Sequence, residues 1–209
     1  MLVSRVTGRA DDLKAGRYIF TQPIPLWEVV TRMAKGEYGT KVRKVTIPEG
    51  SSNAEISKIV GVSLGHSYQG YLFPDTYFFD QYSTDDEIRA IMMANFQAKV
   101  IPPISFGDLI LASLVEEEAS STLDRKLIAG ILEKRLKLGM PLQVDVALET
   151  YDRIGLPDEP IVNPGLDAID AVRNPTSSKY LYYLSDKEGI THYAVTFEEH
   201  KRNRERYGI

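Results

Sequence analysis

With 209 residues, 43% of them apolar and 26% charged, the chain has the makeup of an ordinary globular protein, long enough for one substantial domain or two small ones. The net charge of −4 argues against nucleic acid as the main ligand, because phosphate binding needs a basic face. The absence of cysteine excludes disulfides, thiol catalysis and cysteine metal sites, although it fixes no compartment.

No apolar run approaches the roughly 20 residues that span a bilayer, and no signal peptide is visible. The chain is therefore expected either to be cytoplasmic or to begin after a removed anchor. In chain order, Arg17-Tyr18-Ile19-Phe20 after Gly16 reads as a short strand. From Pro25 to Lys35, Leu26, Val29, Val30 and Met33 fall at helical spacing, and Gly36 ends the helix. Val42 to Ile47 alternates as a strand does, and Pro48-Glu49-Gly50 turns the chain. Ser52 or Asn53 then caps a helix through Val60, with Ile56, Ile59 and Val60 inward.

A second region begins near Ser67 with an aromatic block, Gly70 to Phe79. Tyr71, Phe73, Tyr77 and Phe79 occupy odd positions and so share one strand face, which serves a core better than a sugar site. Thr84 or Asp85 starts a long helix to about Lys99, broken by Ile101-Pro102-Pro103. Phe106 to Ala119 and Asp124 to Leu138 follow as helices, the second stopped by Gly139. Tyr180 to Leu184 and His192 to Val195 read as strands before a helix from Thr196. The positive run Lys201, Arg202, Arg204, Arg206 reads most simply as a solvated helix face.

The apolar helix finishes in three acids, Glu116, Glu117 and Glu118. On a 3.6-residue period Glu118 lies over Leu111, Leu114 and Val115 and so projects from the most apolar side. A carboxyl group kept in an apolar cleft has a raised pKa and can hold a proton near neutrality. A general acid for a glycosidic oxygen needs that property. An exposed acidic helix end is the simpler reading, though acids there oppose the macrodipole. After Gly139, Gln143 and Asp145 fall on one side of an extended stretch and suit sugar hydroxyls and N-acetyl groups; a polar strand edge would look the same. His192 and His200 are not spaced as a compact metal pair, so neither a metal nor another cofactor is expected. No phosphate loop or dinucleotide fingerprint is present.

Several ordered motifs point further. They are Leu13-Lys14-Ala15-Gly16-Arg17-Tyr18, Val45-Thr46-Ile47-Pro48-Glu49-Gly50, Gly70-Tyr71-Leu72-Phe73-Pro74-Asp75-Thr76-Tyr77, and Leu111 to Ala119. Arg135-Leu136 follows, with Gly139-Met140, Leu142-Gln143 and Asp145, then Thr150-Tyr151, Gly155-Leu156-Pro157 and Asn163-Pro164-Gly165. Tyr180-Leu181-Tyr182, Gly189, His192, Thr196 and Glu199-His200 complete the order. Together they resemble the YceG-like (MltG) family of endolytic murein transglycosylases over nearly the whole chain. Gln69 stands where that family usually has Glu, Lys134 and Glu149 where it has Asn, and the segment after Asp145 is shorter. Where that missing segment forms a cleft wall in the family, the groove here is expected to be more open.

The resemblance implies an α+β fold, with a small LysM-like subdomain over residues 1–66 and a mixed α/β catalytic domain with a central cleft over 67–209. It implies cleavage of the β-1,4 bond between N-acetylmuramic acid and N-acetylglucosamine without water, leaving 1,6-anhydro ends. Glu118 is the implied catalytic acid and base, with Glu116 in reserve. The implied glycan contacts are Gln143, Asp145, Tyr151, Tyr71, Asp75 and His192. The partners would be glycan strands and wall-synthesis enzymes, with no nucleic acid. The site of action would be the extracytoplasmic face of the cytoplasmic membrane, reached through an anchor that this sequence does not contain. Two rivals are a non-catalytic glycan-binding or scaffold protein, and a hydrolase using Glu118 with Asp145.

Overall fold

The computed structural model of the chain describes residues 13–14, 18–39 and 41–208. Gly16 and Arg17, the first residue of the first expected strand, lie outside those residues, as do Ala15 to Arg17 of the first motif. The chain divides into two compact units, residues 1–44 with 78–83, and residues 45–77 with 84–209.

In the first unit, helix α1 (Leu26–Lys35) begins after Pro25 and ends at Gly36, whose φ of 71° lets its N–H reach back to Arg32 O and Met33 O. Of the four apolar residues expected inward, Val30 is buried, while Leu26 is 63% exposed and Trp27 beside it 65%. Tyr18 to Phe20 are not a strand. They are held by Ile19 N–H on Tyr38 O (2.9 Å) and by Tyr18 Oη, which donates to Lys14 O (2.8 Å).

Strands β1 (Val42–Thr46) and β2 (Thr76–Asp80) pair in a two-stranded sheet. Bonds from Ile47 N–H to Asp75 O and from Gln81 N–H to Lys41 O make the pairing antiparallel. The aromatic block is therefore strand only from Thr76 onward. Residues 71–75 are turn, bend and irregular backbone; Gly70 before them takes φ 88°, and Pro160 and Leu109 fill the space that a Cβ there would need. Phe73, Tyr77 and Phe79 are buried, but Phe73 does not share a strand face with the other two.

The first helix of the second unit is α2 (Asn53–Val60). Ser52 and Glu55 close a capping box there, Ser52 N–H donating to Glu55 Oε2 at 2.8 Å. Ile56 and Val60 are buried, but Ile59 is 40% exposed. It falls next to Val60 and turns off the Ile56–Val60 stripe. Thr84 and Glu87 cap α3 (Asp85–Lys99) in the same way, with Ile88, Met92 and Phe96 inward.

The core is organised around α4 (Phe106–Glu118), in which every residue from Leu109 to Glu116 is buried. A helix apolar all round must be surrounded by protein. Helix α5 (Thr122–Lys137), capped by Ser121, and α7 (Leu166–Arg173) both pack on it. Between them lies a loop carrying buried Leu142, Val144 and Ala147 and the single turn α6 (Glu149–Asp152). Gly130 of α5 admits the chain at residue 176, and Thr176 N–H donates to Lys126 O at 2.9 Å. Strands β3 (Tyr182–Ser185) and β4 (Thr191–Ala194) form an antiparallel hairpin with Tyr183 opposite Tyr193 and Ser185 opposite Thr191. Helix α8 (Phe197–Tyr207) packs on this hairpin. Eight helices and four strands among the described residues make this a mixed α+β fold. Among them no helix is long and apolar enough to cross a membrane.

Candidate active site

The three acids ending α4 meet three different surroundings. Glu116 is buried; its Oε1 accepts from Arg125 Nη2 at 2.7 Å and its Oε2 from Gly165 N–H at 2.8 Å. It thereby caps the start of α7, which has no side-chain cap of its own. Glu117 is exposed and lies against Gly50, close enough that a Cβ at residue 50 would collide with its Oε1. Burial raises its pKa, and the charges of Glu116 and Glu55 add to the rise.

Glu118 is half-buried, and its carboxyl is pushed up to about 7, mainly by burial. The charges of Asp145 and Glu117 push the same way, while the Tyr183 hydroxyl and the Asp145 backbone N–H oppose them. Burial is the largest influence and the Arg135 guanidinium acts on Glu118 only weakly, so desolvation prevails over stabilisation of the anion. The helix stops here because Ala119 turns extended, with φ −148°.

A cleft of about 300 Å³ opens at this helix end. Glu118, Ala119 and Ser120 line it from α4 and the following turn, Arg125 from α5, and Ser185 and Thr191 from the β3–β4 hairpin. Hydroxyl and acid groups dominate these walls, which suits a polyhydroxylated ligand better than an apolar one.

The stretch after Gly139 also borders Glu118, in a form that alternation does not anticipate. Pro141 and Ile154 form an isolated antiparallel bridge that closes a tight loop. Within it Gln143 takes φ 51° while its N–H donates to Thr150 O at 3.1 Å. A positive φ at a non-glycine residue breaks the period-two relation, so Gln143 and Asp145 are not successive residues of one strand face. Both are exposed. Tyr151 Oη donates to Asp145 Oδ1, which raises the tyrosine to about 12. The loop is held by Thr150 Oγ1, which accepts from Val144 N–H (3.0 Å) and donates to Ala147 O (2.6 Å). Buried Arg135 donates to Leu142 O and, through Nε, to Leu181 O at 2.7 Å, tying this loop and the strand leading into β3 to one guanidinium.

The structure thus brings Glu118, Asp145 and Tyr151 together, with Gln143 on the same loop. The other three expected contacts are engaged within the protein. Asp75 accepts from Asn95 Nδ2 (2.9 Å) and pairs with Lys99 (2.8 Å), bonds that hold its carboxyl down at about 2. Tyr71 packs edge-on against Phe96. His192 stacks on Tyr207 at 3.6 Å and bonds to Asp186.

Sequence reasoning assigned no role to Arg125, Arg135, Tyr183, Asn163 or Glu49, although Arg135, Asn163 and Glu49 fall within the ordered motifs. Asn163 is fully buried; its Oδ1 accepts from Leu72 N–H at 2.9 Å and its Nδ2 donates to Ser51 O (2.9 Å) and Asn53 Oδ1 (3.0 Å). The Glu49 carboxyl fills the space where a Cβ at Gly165 would stand, and burial followed by the Glu116 charge raises it. The run Pro48-Glu49-Gly50 is visible in the sequence, but nothing there shows that it packs on the end of α4.

The sequence model of the YceG-like family matches residues 1–149 and 147–206. The chain is 34% identical over 172 residues to an endolytic murein transglycosylase of Streptococcus pneumoniae strain D39, and 32% identical over 177 residues to one of Bacillus subtilis strain 168. Those alignments take in 65% and 69% of this chain but 31% and 49% of the relatives, so the chain spans less than a third of one relative's length and about half of the other's. A crystal structure of a YceG-like protein from Listeria monocytogenes superposes with a TM-score of 0.71 over 97% of this chain and 89% of that one. At 23% identity the likeness is one of fold.

Proposed function

The chain belongs to the YceG-like family, and on that footing we propose that it is an endolytic lytic transglycosylase of peptidoglycan. Its substrate would be the glycan strand and its target the β-1,4 bond between N-acetylmuramic acid and N-acetylglucosamine. One observation carries the reading: Glu118, a half-buried carboxyl on a cleft, stays protonated to about pH 7.

Glu118 gives its proton to the glycosidic oxygen as the bond to C1 breaks. The resulting carboxylate takes the proton of the muramyl C6 hydroxyl as that oxygen attacks C1. A 1,6-anhydro ring forms, no water is consumed, and Glu118 is protonated again. One group serves as acid and then base, which requires a pKa near the working pH. Gln143, Asp145 and Tyr151 are placed to meet sugar hydroxyls and the N-acetyl group. Glu116 is excluded as the acid on this reading, since both of its oxygens are bonded within the protein. The substrate sets the location, the cell envelope, and residues 1–66 would serve as a LysM-like glycan-holding part.

Digestion of purified glycan strands tests this. Mass spectrometry should find 1,6-anhydro-muramyl ends, and Glu118→Gln should abolish them while the fold persists. Intact strands after incubation with the wild-type protein would sink the proposal and favour a glycan-binding scaffold. The nearness of the Asp145 charge to Glu118 keeps a second reading in play, hydrolysis by two carboxylates. That reading predicts reducing ends.

A further inference from the structure

Tyr183 carries a hydroxyl that the mechanism has not yet used. Its Oη is buried and makes no hydrogen bond of ordinary geometry, yet it faces the Glu118 carboxyl closely enough to hold that group's pKa down. A buried unpaired hydroxyl is costly and calls for a reason. Its surroundings fix it in place. The ring packs against the core that holds α4, and its cross-strand neighbour Tyr193 donates its own hydroxyl to Asp124 of α5. Arg135 grips Leu181 just ahead of β3. By period two Tyr183 shares a strand face with Ser185, which lines the cleft beside Glu118. The charged and titratable groups around it are Glu118 of α4, Arg135 of α5 and Asp145 of the 141–154 loop. Glu118 in turn faces Tyr183, Asp145 and Glu117 and interacts with Tyr151 and the Arg135 guanidinium.

We propose that Tyr183 is the positioning residue of Glu118: its hydroxyl closes onto the carboxylate once the proton has left, and holds that anion for the second half-reaction. The donor is suited to this. Burial keeps the phenol protonated far above the range in which Glu118 titrates, so it always has a proton to offer. A phenol donor favours the charged form, and this counteracts burial, the Asp145 charge and the Glu117 charge. Tyr183 keeps its own proton throughout.

This inference deepens the proposed function and rests on it. In Tyr183→Phe the carboxylate loses its donor, so Glu118 should stay protonated to higher pH. The descending limb of kcat/KM against pH should move up by about half a unit or more, and kcat should fall at least several-fold with KM little changed. Replacing Tyr183 by 3-fluorotyrosine, a stronger donor of nearly the same shape, should move the limb down. The same shifts should appear when Glu118 is titrated directly by 13C NMR, a readout that requires no turnover. Unchanged Glu118 titration in both variants would overturn the role of Tyr183, whatever the activity. Absence of cleavage by the wild-type protein would instead overturn the proposed function.

Discussion

Glu116 Oε1 sits 2.7 Å from Arg125 Nη2, in a pair whose side chains are 4% and 11% exposed. The second Glu116 oxygen is held by Gly165 N–H, and Arg125 Nη1 reaches Asp167 at 3.1 Å. Helices α4, α5 and α7 therefore meet at one ion pair, two residues before the acid that faces the cleft. Glu116→Gln leaves the buried guanidinium short of charge and should cost about 3–5 kcal/mol of stability, read as a lower urea midpoint. Glu118→Gln should unfold no more easily than the wild type at neutral pH, yet lose glycan cleavage. A well-folded Glu116→Gln with no turnover, beside an active Glu118→Gln, would reverse these roles.

Gly130 lies in the middle of α5, where alanine is ordinarily the better residue by about 1 kcal/mol. Here a Cβ would press on the carbonyl oxygen of Thr176, whose own N–H is bonded to Lys126 O. Backbone cannot swing aside as a flexible side chain can. Gly130→Ala should therefore destabilise by about 1–3 kcal/mol, and a thermal melt would show the sign. A higher melting temperature would mean that residues 174–178 are held loosely.

Asn163 needs both ends of its amide. Its oxygen takes Leu72 N–H and its nitrogen faces two acceptors, Ser51 O and Asn53 Oδ1. Asn163→Asp sets a buried carboxylate against those two oxygens and should cost about 3 kcal/mol or more at pH 7. The new carboxyl would have a raised pKa in the folded state, so the loss should shrink below about pH 4, where a proton restores one donor. Denaturation at the two pH values measures this, and equal losses at both would refute it.

Helix starts are the most legible feature of this chain, because Ser52 with Glu55 and Thr84 with Glu87 carry their own bonding pattern in the order of residues. The face of Glu118 is legible only in part: a 3.6-residue period turns it inward, but the helix is buried all round and Glu116 is the acid buried deepest. Helix α7 is not, since it has eight residues and borrows its cap from Glu116, 49 positions earlier. The loop at Gln143 misleads, because tertiary bonds from Thr150 and Arg135 impose a left-handed residue where polar alternation predicts extension. Tyr183 looks like any core aromatic until β3 is folded beside α4.

The pKa of Glu118 makes a stability prediction independent of any substrate. A carboxyl raised from its ordinary 4.5 to about 7 is disfavoured as an anion in the folded state. Its favourable contribution is fully present below pH 4.5 and is lost as pH rises through about 7. That displacement corresponds to about 3 kcal/mol. Glu118→Gln carries no such charge, so its stability relative to the wild type should improve by up to that amount between pH 4 and pH 8. Paired urea denaturation at those pH values is the measurement. A constant difference would mean that Glu118 ionises as it does in water, and the case for it as a proton donor at neutral pH would fall with it.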